Sequence, residues 1–228
     1  MAGFVIRVLI KYTKAMRLYL SSAGLGDHVE VLRDLMRGGN KLLYISNAQD
    51  DWSALDKQQH VAEKLEEYRL LGFDARELDL RQYFAGNLEA LKDQLADCDL
   101  VWCGGGNTFL LRRALSYSGL DGLLGQGLAQ DRFVYGGSSA GSIIPTPSLR
   151  GTENGDDPLS VPEQYKPEII WEGLGLIQEQ IVPHYQSDWF AAEAQGMIDY
   201  FEKAGTSYRA LRDGQVYMVD GSQERLLG

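Results

Sequence analysis

The stretch RFVYGGSSAGSII, residues 132–144, decides the fold and carries the strongest functional signal in the chain. An apolar run leads into seven small residues in a row, and two isoleucines follow them. Gly137 to Gly141 fit the pattern G-x-S-x-G, in which a serine occupies a sharp turn between a strand and a helix. The frame selects Ser139, not Ser138, as the exposed nucleophile. The alternative is a tight turn that is merely built from small residues.

Apolar runs and helical patterns alternate on both sides of this stretch. An Asp-Gly pair at 213–214 also predicts a hairpin turn between residues 209–212 and 215–219. Alternating elements of these lengths predict an α/β fold with three layers, in which a mostly parallel sheet carries helices on both faces. The predicted strands are 17–21, 41–46, 75–80, 100–104 and 133–137, and the predicted helices are 27–37, 52–71, 88–97, 108–116 and 189–203.

The length of 228 residues fits one large domain. Residues 145–171 interrupt the strand–helix alternation and hold five of the six prolines, so we expect this segment, the excursion loop, to cross the surface of that domain. The partly apolar residues 1–15 contain several basic residues and precede the first recognisable strand. We therefore expect a single α/β domain over 16–228 and an N-terminal extension, outside the fold, over 1–15.

Composition and charge exclude several classes of partner. The net charge is −10, which disfavours nucleic acid and anionic membranes. No apolar run approaches the roughly 18 residues that a membrane-spanning helix needs. Cys98 and Cys103 lack metal-site spacing and suit a reducing compartment, so we expect a cytoplasmic protein. The sequence leaves a homodimer open.

A serine nucleophile needs a base, and His184 is the best candidate for it. The chain has three histidines. His28 and His60 lie in or beside helical patterns, where a solvated residue is the ordinary explanation, whereas His184 ends the apolar run of EQIVPHY. That position places it at the same edge of the sheet as the elbow serine. The orienting acid stays open among the carboxylates of the excursion loop, namely Glu153, Asp156 and Asp157.

A second glycine-rich stretch, GGGNT at residues 104–108, also follows a predicted strand. It lacks the last glycine of the dinucleotide motif, and the chain has no phosphate-binding P-loop pattern. The glycines instead suit backbone N–H groups that approach a substrate closely, with Asn107 or Thr108 capping the next helix. We expect oxyanion-hole donors at Gly105 and Gly106, together with Ala140 after the elbow serine. We expect no cofactor and no metal.

Four segments together resemble the peptidase E family of serine peptidases, which includes aspartyl dipeptidases and relatives similar to cyanophycinase. The segments are GGGNTFLL at 104–111, GGSSAG at 136–141, PTPSLRGTENGDDP at 145–158 and VPHY at 182–185. Their order and spacing cover residues 41–186. The resemblance implies an α/β fold similar to that of class I glutamine amidotransferases, with serine in place of the elbow cysteine.

The resemblance also implies roles for particular residues. Ser139 is the implied nucleophile, and His184 is the implied general base and then acid. The GGG stretch and the residue after the serine supply the implied oxyanion-hole amides. The third member of the triad is implied to be an acid in the loop after the elbow. Alignment on Pro158 places that acid at Asp156, with Asp157 as the close alternative.

One departure from the family bears on substrate preference. In aspartyl dipeptidases a basic residue downstream of the catalytic histidine is thought to hold the substrate's aspartate side chain, but no arginine lies between Arg150 and Arg209 here. We therefore expect an exopeptidase that needs a free N-terminus without strict specificity for aspartate, and Asp188 is a candidate to hold the α-amino group. The expected substrate contacts are Asn107, Tyr185, Gln186 and Asp188, and the arginines that folding could bring into the pocket are Arg112, Arg113 and Arg150.

The leading hypothesis is a serine peptidase that acts on dipeptides or short peptides through a Ser-His-Asp triad and an acyl-enzyme. An esterase of the α/β-hydrolase type is the alternative enzyme, because it shares the elbow and the chain order Ser…Asp…His. A protein of the same fold that binds ligands without catalysis is the alternative outside enzymes.

Overall fold

The computed structural model describes residues 16–228, so the extension predicted over residues 1–15 lies outside the described part. Within that part, strands and helices alternate as the sequence predicts. The strands are β1 (Arg17–Ser21), β2 (Lys41–Ile45), β3 (Asp74–Glu77), β4 (Leu100–Cys103), β5 (Val134–Ser138), β6 (Gln180–Val182), β7 (Tyr208–Ala210), β8 (Val216–Asp220) and β9 (Gln223–Leu227). The α-helices are α1 (Val29–Met36), α2 (Ala54–Leu70), α3 (Leu88–Ala96), α4 (Thr108–Ser118), α5 (Leu120–Ala129), α6 (Ala140–Ile143) and α7 (Ala191–Ala204).

Seven strands form the main sheet in the order β3-β2-β4-β5-β1-β8-β9. The first five run parallel to one another, whereas β8 pairs antiparallel with both β1 and β9. The mostly parallel α/β sheet predicted from the sequence is therefore confirmed. Because β5 lies at the centre of this order, the elbow that follows it opens at the middle of the carboxyl edge of the sheet.

Alternate residues along each strand face opposite sides of the sheet, and each side carries helices. Leu42 and Tyr44 of β2 join the core beneath α1 and α2. Leu43 and Ile45 join the core beneath α3, α4 and α5 on the other face. A smaller apolar cluster lies under α7 and continues the second core toward the elbow. The three-layer architecture follows from this two-sided burial.

The last part of the chain differs from the sequence prediction. Asp213 and Gly214 do not turn between two strands of one hairpin, because β7 pairs with β6 in a separate parallel sheet and β8 enters the main sheet. The hairpin lies one strand later, between β8 and β9. The predicted hairpin is therefore wrong, and Asp213 instead lies where the chain enters the main sheet beside β1.

The excursion loop is held against α4 by two arginines. The fully buried Arg113 guanidinium donates to the carbonyl oxygens of Pro158, Ser160 and Glu168, and Arg112 donates to that of Glu172. A buried cation that satisfies several backbone carbonyls fixes the course of a long loop that has little regular structure of its own. Within residues 16–228, the helices fall short of the length and apolarity needed to cross a membrane.

Candidate active site

Ser139 occupies the sharp turn between β5 and α6. Its backbone has φ 51° and ψ −117°, a conformation that side-chain-bearing residues rarely adopt. The Ser139 N–H donates to the carbonyl oxygen of Ser22 at 3.0 Å, and the Ser139 carbonyl accepts from the N–H of Ser142 at 2.8 Å. A strained backbone conformation that the surrounding hydrogen bonds maintain is typical of functional positions. The backbone therefore presents the Ser139 side chain to a cavity and turns at once into α6.

The glycines of the elbow are required by close packing. A Cβ on Gly137 would lie 2.4 Å from the backbone of Gly141, and a Cβ on Gly141 would lie 2.0 Å from the carbonyl oxygen of Cys103. No side chain fits at such distances. The series of small residues thus lets the turn close on itself and against the end of β4.

His184 shares the cavity with Ser139, and its ring is oriented by Asp213. The Nδ1 atom of His184 lies 2.7 Å from Oδ1 of Asp213. Ser22 joins both residues, because its hydroxyl donates to Asp213 Oδ1 at 2.8 Å and accepts the His184 N–H at 2.7 Å. Like Ser139, His184 has a positive φ, here 58°. A histidine held this way by a carboxylate leaves Nε2 available for proton transfer.

The carboxylates expected to orient the histidine contact other groups. Glu153 accepts from the N–H of Gly151, and Asp157 accepts from that of Leu159. Asp156 accepts from the N–H of Thr108 at the start of α4. The structure thus pairs His184 with Asp213 in place of Asp156 or Asp157. The physical reason is that the chain beyond α7 returns to the main sheet beside β1, which places Asp213 behind the His184 ring.

Asp156 nevertheless lines the cavity. Burial raises its pKa to about 6, although the Thr108 N–H acts in the opposite direction, and the Asp51 carboxylate raises it further. A half-buried carboxylate with a raised pKa in a cleft beside a candidate nucleophile is typical of functional sites.

We expect Asp156→Asn to raise the stability of the protein at neutral pH. The Asp156 pKa is about 6 in the fold against 3.8 as the ordinary value, so its stabilising contribution is complete below about pH 3.8 and is lost as the pH rises through 6. At pH 7 the ionised group costs up to about 3 kcal/mol. Thermal unfolding should therefore show Asp156→Asn melting a few degrees above the native protein at pH 7.5, with little difference near pH 4. The exposed Asp157→Asn is the control, and a native protein more stable than Asp156→Asn at pH 7.5 would contradict the expectation.

Backbone amides without an acceptor lie next to the serine in the structure or in the chain, and those of Gly105 and Gly106 belong to the lining of the cavity. Gly105 adjoins Ser139, since a Cβ built on that glycine would lie 3.1 Å from the serine Cβ. In the part of the chain that the structure describes, the N–H groups of Gly105, Gly106 and Ala140 have no hydrogen-bond acceptor, whereas that of Asn107 donates to Ala48. Unpaired amides at the start of a helix and in a glycine turn suit a developing oxyanion.

The residues predicted to contact substrate, Asn107, Tyr185, Gln186 and Asp188, are not in the lining of the cavity. Asn107 caps α4 by accepting from Phe109 and Leu110, and it donates to the carbonyl of Asp157. Gln186 bonds Tyr185 and Arg212. Asp188 is exposed. The lining of the cavity instead includes the next two residues, Trp189 and Phe190, which pack on the His184 ring at centroid distances of 4.4 and 5.4 Å.

The cavity around Ser139 and His184, which we call the Ser139 cavity, has a volume of about 390 Å³. Its walls are largely apolar and aromatic, its charged side chains are Lys64 and Asp156, and its imidazoles are His60 and His184. Burial, and then the Lys64 ammonium, lowers the pKa of His60. In the sequence, His60 has the ordinary pattern of a solvated helix residue, and Lys64 belongs to no motif. A sign of both was their spacing of four residues, which places them on one side of α2.

The arginines considered for the pocket lie outside its lining. Arg112 and Arg113 hold the excursion loop, as described above, and Arg150 stacks over the Trp171 ring at 4.5 Å. Among the lysines and arginines of residues 16–228, the one that lines the Ser139 cavity is therefore Lys64 of α2, on the face of the sheet opposite α4.

Serine hydrolases use an elbow serine, a histidine bonded to a carboxylate and unpaired backbone amides, and groups of each kind lie in or beside this cavity. The chain belongs to peptidase family S51, whose sequence model matches residues 18–227. The resemblance to peptidase E inferred from the motifs is thereby confirmed.

Individual relatives agree with this family. The chain is 32% identical to peptidase E of Streptomyces coelicolor, over 59% of this chain and 54% of that protein. It is 28% identical to a probable alpha-aspartyl dipeptidase of Drosophila melanogaster, over 66% of this chain and 64% of that protein. An uncharacterized peptidase of Pasteurella multocida is 29% identical over 62% of this chain and 70% of its own length. The aligned region thus spans little more than half of the Streptomyces protein.

Solved structures share the fold over nearly the whole chain. A protein of Listeria monocytogenes, provisionally assigned to peptidase E, superposes with a TM-score of 0.74 at 20% identity and covers 93% of this chain and 98% of its own. A peptidase from an acI-B1 actinobacterium gives 0.69 at 16% identity, covering 94% of this chain and 88% of its own. At these identities the likeness shows the fold.

Proposed function

We propose that the protein is a serine exopeptidase that hydrolyses dipeptides or short peptides from a free N-terminus. The observation that carries the proposal is the His184–Asp213 pair, which lies in the same site as a strained elbow serine. Membership of family S51 supports peptide hydrolysis, and the names of the relatives include peptidase E and a dipeptidase. Specificity for N-terminal aspartate is not part of the proposal.

The chemistry proceeds in two steps through an acyl-enzyme. The Ser139 hydroxyl attacks the peptide carbonyl carbon while His184 Nε2 takes its proton, and the amides of Gly105, Gly106 and Ala140 stabilise the oxyanion. His184 then gives the proton to the leaving amine as the C–N bond breaks. Water then attacks the ester carbonyl carbon while His184 takes a proton from it. His184 gives that proton to the Ser139 oxygen as the ester bond breaks, which releases the carboxylic acid and restores the serine. Asp213 holds the imidazole in the required tautomer throughout.

Two features of the site favour short peptides over the alternatives. A volume of about 390 Å³ is near the lower end of small-molecule sites and suits a peptide of few residues. The chain order of the candidate triad is Ser139, His184, Asp213, whereas α/β-hydrolase esterases have the acid before the histidine. The proposal of a peptidase therefore gains support over that of an esterase.

A panel of peptides tests the proposal. We expect the purified protein to hydrolyse Asp-Leu, Ser-Leu and Ala-Leu with kcat/KM values that differ by less than about 100-fold, roughly 2.7 kcal/mol, because no arginine among residues 16–228 lines the cavity to pair with an aspartate side chain. N-acetylation should reduce hydrolysis strongly. p-Nitrophenyl acetate serves as the esterase comparison. A preference for the ester with no hydrolysis of free dipeptides would overturn the proposal.

A further inference from the structure

We propose that the Ser139 cavity holds a dipeptide by both charged ends, with the α-ammonium group at Asp156 and the α-carboxylate at Lys64. The protein is then selective for dipeptides over longer or end-blocked peptides. This inference rests on the proposed function and adds to it the recognition of the substrate's two termini.

The two charges come from elements that belong to opposite faces of the main sheet, since Asp156 bonds the start of α4 and Lys64 belongs to α2. Lys64 projects from α2, whose Tyr68 is buried in the core on one face of the main sheet. Asp156 lies in the excursion loop, on the side where Met197 of α7 packs in the cluster of the other face. Ser139 follows the central strand at the sheet edge. The cavity therefore extends over that edge from one face to the other, and its lining contains Ser139 together with one acidic and one basic side chain.

Lys64 can exchange its present partner for a ligand carboxylate. Its ammonium pairs with Glu67 at 2.8 Å, but both side chains are partly exposed, at 30% and 44%. Helix-surface pairs of this kind are weak and readily exchanged. His60 stands one turn before Lys64, and with its lowered pKa it is a neutral ring at pH 7 that can donate a second hydrogen bond. Helix α2 thus offers one cation and one neutral donor to an anion.

Asp156 lacks a cationic partner of its own. Among residues 16–228 the bond to its carboxylate comes from the Thr108 N–H, at 2.9 Å to Oδ2, and no ion pair reaches it. A half-buried carboxylate is costly without a cation and gains from one that a ligand brings. A substrate ammonium group meets this need with N–H donors and positive charge together. Asp156 therefore suits the N-terminal end of a peptide.

The charges of Asp156 and Lys64 then determine the orientation and the length of the peptide that the cavity binds. A dipeptide lying across Ser139 with its ammonium group toward Asp156 directs its carboxylate toward Lys64. A third residue would place a neutral amide near Lys64 and require more room in a cavity of about 390 Å³. Amidation removes one of the two ion pairs, and N-acetylation removes the other. The protein therefore recognises both termini of the dipeptide by their charge and places few requirements on the two side chains of the dipeptide.

Binding to an inactive protein tests this directly. Calorimetry with Ser139→Ala protein should give at least about tenfold tighter binding of Ala-Leu than of Ala-Leu-amide or N-acetyl-Ala-Leu at pH 7.5. Adding Lys64→Met to this variant should weaken the binding of Ala-Leu about tenfold and leave the affinity for Ala-Leu-amide unchanged. Adding Asp156→Asn instead should weaken the binding of Ala-Leu and leave the affinity for N-acetyl-Ala-Leu unchanged. Such paired losses isolate each contact.

Matched controls separate charge recognition from folding effects. Lys92→Met removes a similar helix-surface pair, Lys92 with Glu89 on α3, away from the cavity, and should change no affinity. Lys64→Gln should repeat the effect of Lys64→Met, and thermal unfolding should verify that each variant is folded.

Two results would overturn the inference. They are equal affinity for Ala-Leu and its amide, and an equal loss for both peptides on Lys64→Met. If either occurs while the native protein still hydrolyses dipeptides, the proposed function stands and the two-ended recognition falls. If the binding pattern appears as expected but the native protein hydrolyses no dipeptide, the cavity recognises both termini and the proposed function falls.

Discussion

Ser139→Ala is expected to lower kcat/KM for dipeptide hydrolysis by about 10³-fold or more while the fold remains intact. The substitution removes the attacking oxygen and leaves the free amides and the cavity in place, so the residual rate reflects binding and oxyanion stabilisation alone. Alanine keeps the Cβ at the strained turn and adds no atom near Gly105. Steady-state kinetics on Ala-Leu, together with thermal unfolding of the variant, measure both parts of the expectation.

Ser138→Ala is the matched control, since Ser138 is the neighbouring serine and the last residue of β5. It should cost much less activity than Ser139→Ala. A larger loss for Ser138→Ala would mean that the elbow frame is displaced by one residue. Equal and small losses for both variants would favour a protein that binds peptides without this chemistry.

Asp213→Asn is expected to reduce kcat by about 10²- to 10⁴-fold with a smaller change in KM. An amide at this position can present an N–H group to His184 Nδ1, which favours the tautomer with its proton on Nε2 and so removes the base. It also removes the charge that stabilises the imidazolium formed during the reaction. Ser22 bonds the same carboxylate oxygen, so the change disturbs the histidine backbone support as well.

The comparison variants for Asp213→Asn are Asp157→Asn and Glu153→Gln. Both residues were candidates from the sequence, both are exposed, and neither contacts His184. We expect each to retain activity within a few-fold of the native protein. A near-native kcat in Asp213→Asn, together with a large loss of kcat in Asp157→Asn, would mean that the acid of the triad lies in the excursion loop.

Local patterns were sufficient to predict much of the fold. The strands at 17–21 and 100–103 and the helix at 54–70 were predicted within two residues, because buried strands of a parallel sheet read as short apolar runs and α2 begins after Ser53, whose side chain caps its N-terminus. Helix α5 was missed. Its sequence LDGLLGQGLA contains three glycines, which weaken local helix propensity, and its stability comes from leucines buried against the sheet.

The residues of the site are of two kinds: some are predicted by local sequence patterns, and the others join the site only through the tertiary structure. Ser139 directly follows β5, so its place at the carboxyl edge of the main sheet follows from topology. His184 comes two residues after β6, which lies in the separate two-stranded sheet, so the prediction that both residues end strands of one sheet is wrong, although they share a cavity. Asp213 lies 29 residues beyond His184 and meets it only because β7 and β8 enter different sheets. Lys64 and His60 come from a helix before the glycine stretches, and no spacing rule connects them to the elbow. Side chains that are brought together by the three-dimensional path of the chain leave little trace in one sequence.

The most direct test of the account is covalent labelling by a small organofluorophosphate, followed by mass spectrometry of the digested protein. The account predicts one adduct, on Ser139, because a serine activated by the His184–Asp213 pair reacts far faster than an ordinary hydroxyl. Labelling should be absent in Ser139→Ala and at least about tenfold slower in Asp213→Asn. An adduct on Ser138 or on another residue, or an equal labelling rate in Asp213→Asn, would contradict the proposed nucleophile and its activation.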